Sequence, residues 1–234
     1  GTSWKWRKTR ALAADGPYCG IARPMDSAFR LLLFLKAPIA GRVKTRLARD
    51  IGNAAALNAY RLMVDTLWRR LSRRYRCEVC YAPDHAEAIV RSWLRGGPTV
   101  NYRPQGDGDL GDRLERAFAR AFAGGAERAV AIGGDCPYID RFYTEAARRA
   151  LERVDLVIGP ALDGGYTLIG LSRPEPAVFR GVDWSTPWVL DQTLDRAREA
   201  GLAAKLLDPL EDVDDLESWE RAARQMGYPP RPVS

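Results

Sequence analysis

The chain has 234 residues, 46% apolar and 28% charged, which suits a globular domain and excludes disordered, repetitive and disulfide-stapled classes. Of its net charge of +6, residues 1–30 supply +4, from six Lys or Arg against two Asp, so the remainder is too nearly neutral to argue for a nucleic-acid partner. No run approaches the roughly 20 apolar residues of a membrane span, and four cysteines (Cys19, Cys77, Cys80, Cys136) fit a reducing cytoplasm better than an oxidising compartment.

Residues 1–28 mix Trp, Lys, Arg, Gly and Pro without periodicity, the mark of a loose extension rather than a signal peptide. One domain is expected over 29–228, with a tail at 229–234. RLLLFLKAP, from Arg30, is a continuous apolar run of strand length ended by Pro38, as in a strand buried on both faces. Leu57, Tyr60, Val64, Leu67 and Leu71 then recur at helical spacing. CEVCYAP alternates like a strand. Its Cys77 and Cys80 spell C-x-x-C, yet they would lie on opposite faces and no second Cys or His pair follows, so core strand is preferred to zinc.

AEAIVRSWLRGG reads as a helix with a glycine stop, TVNYRPQ as a short strand, and LGDRLERAFARAFAGG as a helix with Leu114, Phe118 and Phe122 four apart. RAVAIG is another apolar strand, and it runs into GDCPYID, where Asp140 is the expected N-cap of the next helix. LVIGP and YTLIGL supply two strands. Thr186 and Pro187 are expected to open a helix closing at Gly201, after which come a final strand AKLLDPL, the segment DVDD and a closing helix. Strands alternating with helices predict an α/β, Rossmann-like three-layer fold with a mostly parallel sheet.

In such a sheet ligands lie beyond the carboxyl ends of the strands. After the first strand, KAPIAGRVKTRLA places Gly41 among Lys36, Arg42, Lys44 and Arg46, a loop suited to a di- or triphosphate because main-chain amides and cationic side chains both bind phosphate oxygens. It is neither a Walker loop nor G-x-G-x-x-G. Asp135, after RAVAIG, can reach a phosphate-bound cation, and magnesium is commonly held by one or two carboxylates plus the substrate's phosphates. Asp163 with Gly164 and Gly165 forms either a plain turn or a close approach to substrate or metal, with Tyr166 on the outgoing strand. Asp212 and Asp214 share a side if DVDD is extended and can complete a cation site; equally, Asp214 or Asp215 caps the last helix. Ser185 and Thr186 in WSTP suit a cap or an acceptor contact. His85 is the only histidine, which weighs against a Ser, His, Asp hydrolase.

In this order and spacing FLKAPIAGRVKTRLA, QGDGDLGDRLERAF, IGGDCP, GPALDGGYTLIGL, WST and DVDD resemble a bacterial glycosyltransferase-like family, formerly a domain of unknown function and called radical-SAM/selenodomain-associated transferase. That family is similar to 2-phospholactate and molybdenum-cofactor guanylyltransferases. The resemblance covers about residues 30–217 and implies the nucleotide-diphospho-sugar transferase (GT-A type) fold. It assigns Lys36, Gly41, Arg42 and Lys44 to the phosphate loop, Asp135 to the metal, and Asp163, Gly164 and Gly165 to the DGG loop. Asp135 is followed by Cys136 and Pro137, a departure from D-x-D, so Asp212 or Asp214 would have to help hold the metal.

The expectation is a Mg2+- or Mn2+-dependent glycosyltransferase acting on a nucleotide-sugar and a small-molecule acceptor, with Lys44, Asp135 and Asp163 catalytic. Nucleotidyl transfer from a nucleoside triphosphate, releasing pyrophosphate, is the alternative, and a non-catalytic nucleotide-binding module a third. The oligomeric state is not legible.

Overall fold

The computed structural model describes residues 26–96 and 99–228. The expected extension therefore lies outside the described residues except for 26–28, as does the tail at 229–234. The strands are β1 (Phe29–Lys36), β2 (Arg76–Ala82), β3 (Val100–Pro104), β4 (Arg128–Gly133), β5 (Leu156–Pro160), β6 (Tyr166–Leu171) and β7 (Ala204–Leu206). The helices are α1 (Thr45–Leu71), α2 (Glu87–Trp93), α3 (Leu110–Ala123), α4 (Arg141–Ala150), α5 (Val189–Glu199) and α6 (Leu216–Gln225), with 3-10 turns at Asp84–Ala86 and Pro176–Phe179. None is long and apolar enough to cross a membrane.

The strands form one sheet in the order β3-β2-β1-β4-β6-β5-β7. The pairs β1 with β2, β1 with β4, β2 with β3 and β5 with β7 are parallel. β6 is antiparallel to both neighbours, so the mostly parallel sheet carries one reversed strand. Five residues separate β5 from β6, enough for a hairpin but far short of the dozen or more that a parallel crossover needs.

β1 shows why a continuous apolar run marks a doubly covered strand. Leu31, Leu33 and Leu35 pack into one core with α1, α2, α4 and α6. Leu32 and Phe34 enter the opposite core, beneath α3, α5 and the 176–179 turn. The period of two along a strand divides the C-x-x-C in the same way: Cys77 belongs to the first core and Cys80 to the second, both as free thiols.

Three helix boundaries carry the site. α1 is two helical pieces joined at Gly52, whose φ of 80° and ψ of 159° break the helix. The short first piece packs Leu47 against Leu216 and Trp219 of α6. α4 starts where Asp140 accepts from the amides of Phe142 and Tyr143, the expected N-cap. α6 is capped by Asp215, which exchanges hydrogen bonds with Ser218. The helix expected from Thr186 and Pro187 starts later, at Val189. The Thr186 hydroxyl instead donates to the Asp183 carbonyl, closing a turn stabilised from within, and Ser185 stands at φ 65°. β7 ends at Leu206 because the chain beyond it leaves the ladder, touching β5 only where the Leu207 and Leu210 amides donate to the Ile158 and Pro160 carbonyls.

Candidate active site

The strand order reverses direction between β1 and β4, which opens a crevice beyond their carboxyl ends. The two ends are tied there, since the Gly134 amide donates to the Phe34 carbonyl. On the outer side Tyr60 of α1 clamps β1, its hydroxyl accepting from the Lys36 amide and donating to the Lys36 carbonyl. The loop leaving β1 turns through Gly41 at φ 73° and arrives at Lys44, which precedes α1 in the left-handed region at φ 45° and ψ 50°.

Lys44 and Asp135 meet. The Lys44 ammonium lies 3.2 Å from Asp135 Oδ2 and 3.0 Å from Asp214 Oδ1, and its side chain is only 6% exposed. Burial by itself would pull the Lys44 pKa down, but the charges of Asp135 and Asp214 reverse that and raise it, so Lys44 is a permanent cation. Arg46 approaches the same cluster from solvent, 3.6 Å from Asp214 Oδ2. Lys36 and Arg42 are exposed on the loop and form no ion pair among the described residues.

Asp212 and Asp214 reach this point because the chain after β7 crosses the end of β5 and docks on β4, where the Val213 amide donates to the Asp135 carbonyl. Val213 is fully buried as the anchor, and α6 packing on the start of α1 fixes the segment from the other side. Within DVDD, Asp215 caps α6, as one reading expected, while Asp214 pairs with Lys44. Asp212 is in the most costly position of all. Its Oδ1 is buried with no hydrogen-bond partner. Burial, then the charge of Asp135, pushes its pKa up to about 8, with Asp163 and Asp214 adding to the repulsion and Lys44 opposing it.

The DGG loop stands at the rim. Asp163 is exposed and its Oδ1 accepts from the Gly165 amide, a turn held by its own side chain. Gly164, at φ 90°, accepts at its carbonyl from the Leu190 amide, and a Cβ there would lie 2.1 Å from the Pro187 carbonyl oxygen. A close backbone approach is thus present at Gly164, where the chain meets Pro187 of the 184–188 loop.

Cys136, beside Asp135, is buried, and burial followed by the Asp212 charge pushes its thiol up to about 12, which removes it as a thiolate nucleophile at neutral pH. Gln105, at the end of β3, is a residue that the sequence reasoning passed over. It is 7% exposed, and its side-chain amide donates to the Leu35 and Cys80 carbonyls, tying the ends of β1 and β2. Arg116 holds the same turn through the Gln105 carbonyl. Asking which polar residue follows each strand, applied to β3, selects Gln105 directly.

A divalent cation finds suitable chemistry here: hard carboxylate oxygens on Asp135, Asp212 and Asp214, one of them buried and unsatisfied. Among the described residues no three acidic, Cys or His side chains stand ready-made around a common point. The Lys44 ammonium occupies the place where Asp135 and Asp214 converge.

These features define the class: a three-layer α/β chain of the nucleotide-diphospho-sugar transferase fold, with its acidic and basic residues gathered at the β1/β4 switch point. The chain belongs to the family described as "Uncharacterized protein conserved in bacteria (DUF2064)", matched over residues 69–186. It is 33% identical to the putative nucleotide-diphospho-sugar transferase of Desulfovibrio desulfuricans, a solved structure, with a TM-score of 0.80 over 89% of this chain and 90% of that one. The 4-diphosphocytidyl-2C-methyl-D-erythritol synthase of Anaerococcus prevotii superposes with a TM-score of 0.58 at 13% identity, over 86% of this chain and 100% of that one. CMP:2-keto-3-deoxy-manno-octonic acid synthetase, solved with CTP, gives 0.55 at 11% identity, over 85% and 98%. At such identities the last two share the fold alone. No curated protein matches the chain.

Proposed function

We propose that this protein is a divalent-metal-dependent transferase acting on a nucleotide-activated donor, with glycosyl transfer from a nucleotide-diphospho-sugar as the first reading. The carrying observation is the cluster of Lys44, Asp135, Asp212 and Asp214 at the β1/β4 switch point, beside the 36–46 segment, with Lys36 at the end of β1, Arg42 on the loop and Arg46 in the first turn of α1. Neither reading of the reaction needs many protein groups as proton carriers, so positioning and electrostatics carry most of the chemistry.

The donor's diphosphate would lie along the 36–46 loop, with Lys36, Arg42 and Arg46 taking its oxygens. Asp135 and Asp212, with Asp214 in support, would hold Mg2+ or Mn2+, which when bound supplies positive charge to the leaving diphosphate. The acceptor oxygen would attack the anomeric carbon as the bond from that carbon to the diphosphate oxygen breaks; the nucleoside diphosphate leaves, and the acceptor proton passes to water or a carboxylate such as Asp163. Asp163 and the DGG loop would face the acceptor. The relative at 33% identity supports glycosyl transfer, because its name carries that donor class.

Nucleotidyl transfer is the second reading, favoured by the loop's cationic surplus. Lys36 and Arg42, neither of them ion-paired among the described residues, exceed what a diphosphate needs and suit a triphosphate. An acceptor phosphate or carboxylate would then attack the α-phosphorus and pyrophosphate would depart. Incubation with a panel of nucleotide-sugars and nucleoside triphosphates, followed by phosphorus NMR, separates the two. Release of a nucleoside diphosphate supports glycosyl transfer, release of pyrophosphate supports nucleotidyl transfer, and binding of neither donor class with Mg2+ rejects both.

A further inference from the structure

We propose that Lys44 acts as a built-in cation that keeps a divalent metal out of the carboxylate cluster until linked phosphates arrive, so that metal and phosphates enter together. This rests on the reading of the crevice as a metal and phosphate site. Lys44 makes no contact typical of a waiting phosphate ligand: it is turned inward, 3.2 Å from Asp135 Oδ2 and 3.0 Å from Asp214 Oδ1, with 6% of its side chain exposed.

An ammonium at 3 Å and a small divalent ion at about 2.1 Å compete for the same oxygens. Both cannot occupy the convergence point, because their charges would then repel at contact distance. Asp212 remains as the oxygen that Lys44 leaves unsatisfied, and Arg46 reaches only the outer oxygen of Asp214, at 3.6 Å. A metal that draws on Asp135 Oδ2 or Asp214 Oδ1 must therefore displace Lys44 into solvent with no new partner. When phosphates lie on the 36–46 loop, the evicted ammonium gains phosphate oxygens in exchange for carboxylates. The coupling is reciprocal by linkage: phosphate tightens metal, and metal tightens phosphate.

The test uses Mn2+ alone, read as free metal by electron paramagnetic resonance, on the whole 234-residue chain. Lys44→Met should bind Mn2+ at least ~10-fold more tightly than wild type, Lys44→Arg should bind no more tightly than wild type, and Lys44→Met with Asp135→Asn should lose the gain. Equal affinity in wild type and Lys44→Met overturns the inference. Equilibrium dialysis of the wild type does not depend on a variant's folding: pyrophosphate should raise protein-bound Mn2+ about tenfold, and unchanged binding counts against the exclusion. The transferase reading fails separately. If Lys44→Met gains Mn2+ while no nucleotide or nucleotide-sugar binds the wild type, exclusion stands and donor transfer falls. If donors bind with metal while Lys44→Met gains nothing, the reverse holds.

Discussion

Asp135 is the residue on which Lys44 and the Asp212 segment converge, through its carboxylate and its main-chain carbonyl respectively, and the one to which the proposed function assigns the metal. Asp135→Asn keeps the shape and the carbonyl but removes the charge, so metal-dependent turnover should fall at least ~100-fold, about 2.7 kcal/mol of transition-state stabilisation, with the melting temperature nearly unchanged. Asp212→Asn should separate function from stability in the opposite sense. In the metal-free protein it removes a buried, unsatisfied carboxyl whose charged form burial, Asp135, Asp163 and Asp214 disfavour, so that folding must protonate it at neutral pH. Relief of about 1–2 kcal/mol should raise the melting temperature by roughly 2–8 °C at neutral pH, while turnover is lost; a lower melting temperature would show that burying the Asp212 carboxyl is not a burden. The positions of these residues were legible because a parallel sheet puts its chemistry after strand ends. Their pairing was not, since nothing in spacing says that Lys44 turns inward to Asp135 and Asp214 instead of outward with Arg42 and Lys36. Nor does DGG by itself reveal that Gly164 makes room for Pro187.

The break in α1 at Gly52 lets its first piece lie on α6, which brings Lys44 and Asp214 together. Gly52 occupies a backbone region that side-chain-bearing residues reach only with strain. Gly52→Ala has open space for its methyl group but should still cost about 1–3 kcal/mol through the backbone, read as a drop in the denaturation midpoint. α4 carries a different device: Glu145 bridges Arg148 and Arg149, and the hydrogen bond from Arg148 holds its carboxyl below the ordinary 4.5. A carboxyl lowered on folding stabilises the protein above its unfolded pKa and loses that contribution as pH falls through the folded one. Glu145→Gln should therefore cost about 0.5–1 kcal/mol at pH 7, a value discounted for partial exposure, and nothing in strong acid, as urea titrations at the two pH values would show. Among the elements, apolar runs and helical spacing were sufficient for β1, α1 and α3, and the capping preference of aspartate for the start of α4 at Asp140. Strand direction was not carried by those patterns; for β6 it lay in the five-residue connection, a feature of loop length and not of hydropathy. The start of α5 was displaced because the Thr186 hydroxyl satisfies its own turn.

For the molecule as a whole, two cores on opposite faces of one sheet leave the carboxyl ends of β1 and β4 as the place where separate elements meet: the β1 loop, the start of α1, Asp135 and the segment entering α6. The three-layer architecture followed from the alternation of elements, but the convergence of positions 44, 135 and 214 needed the fold, since the ion pairs span 91 and 170 residues of chain. The most direct test is a calorimetric titration of the wild type and Asp135→Asn with nucleoside triphosphates and nucleotide-sugars, with and without Mg2+. The account predicts that at least one donor binds the wild type, that Mg2+ tightens it tenfold or more, and that Asp135→Asn loses the Mg2+ enhancement. Donor binding that ignores both Mg2+ and the Asp135 substitution would contradict it.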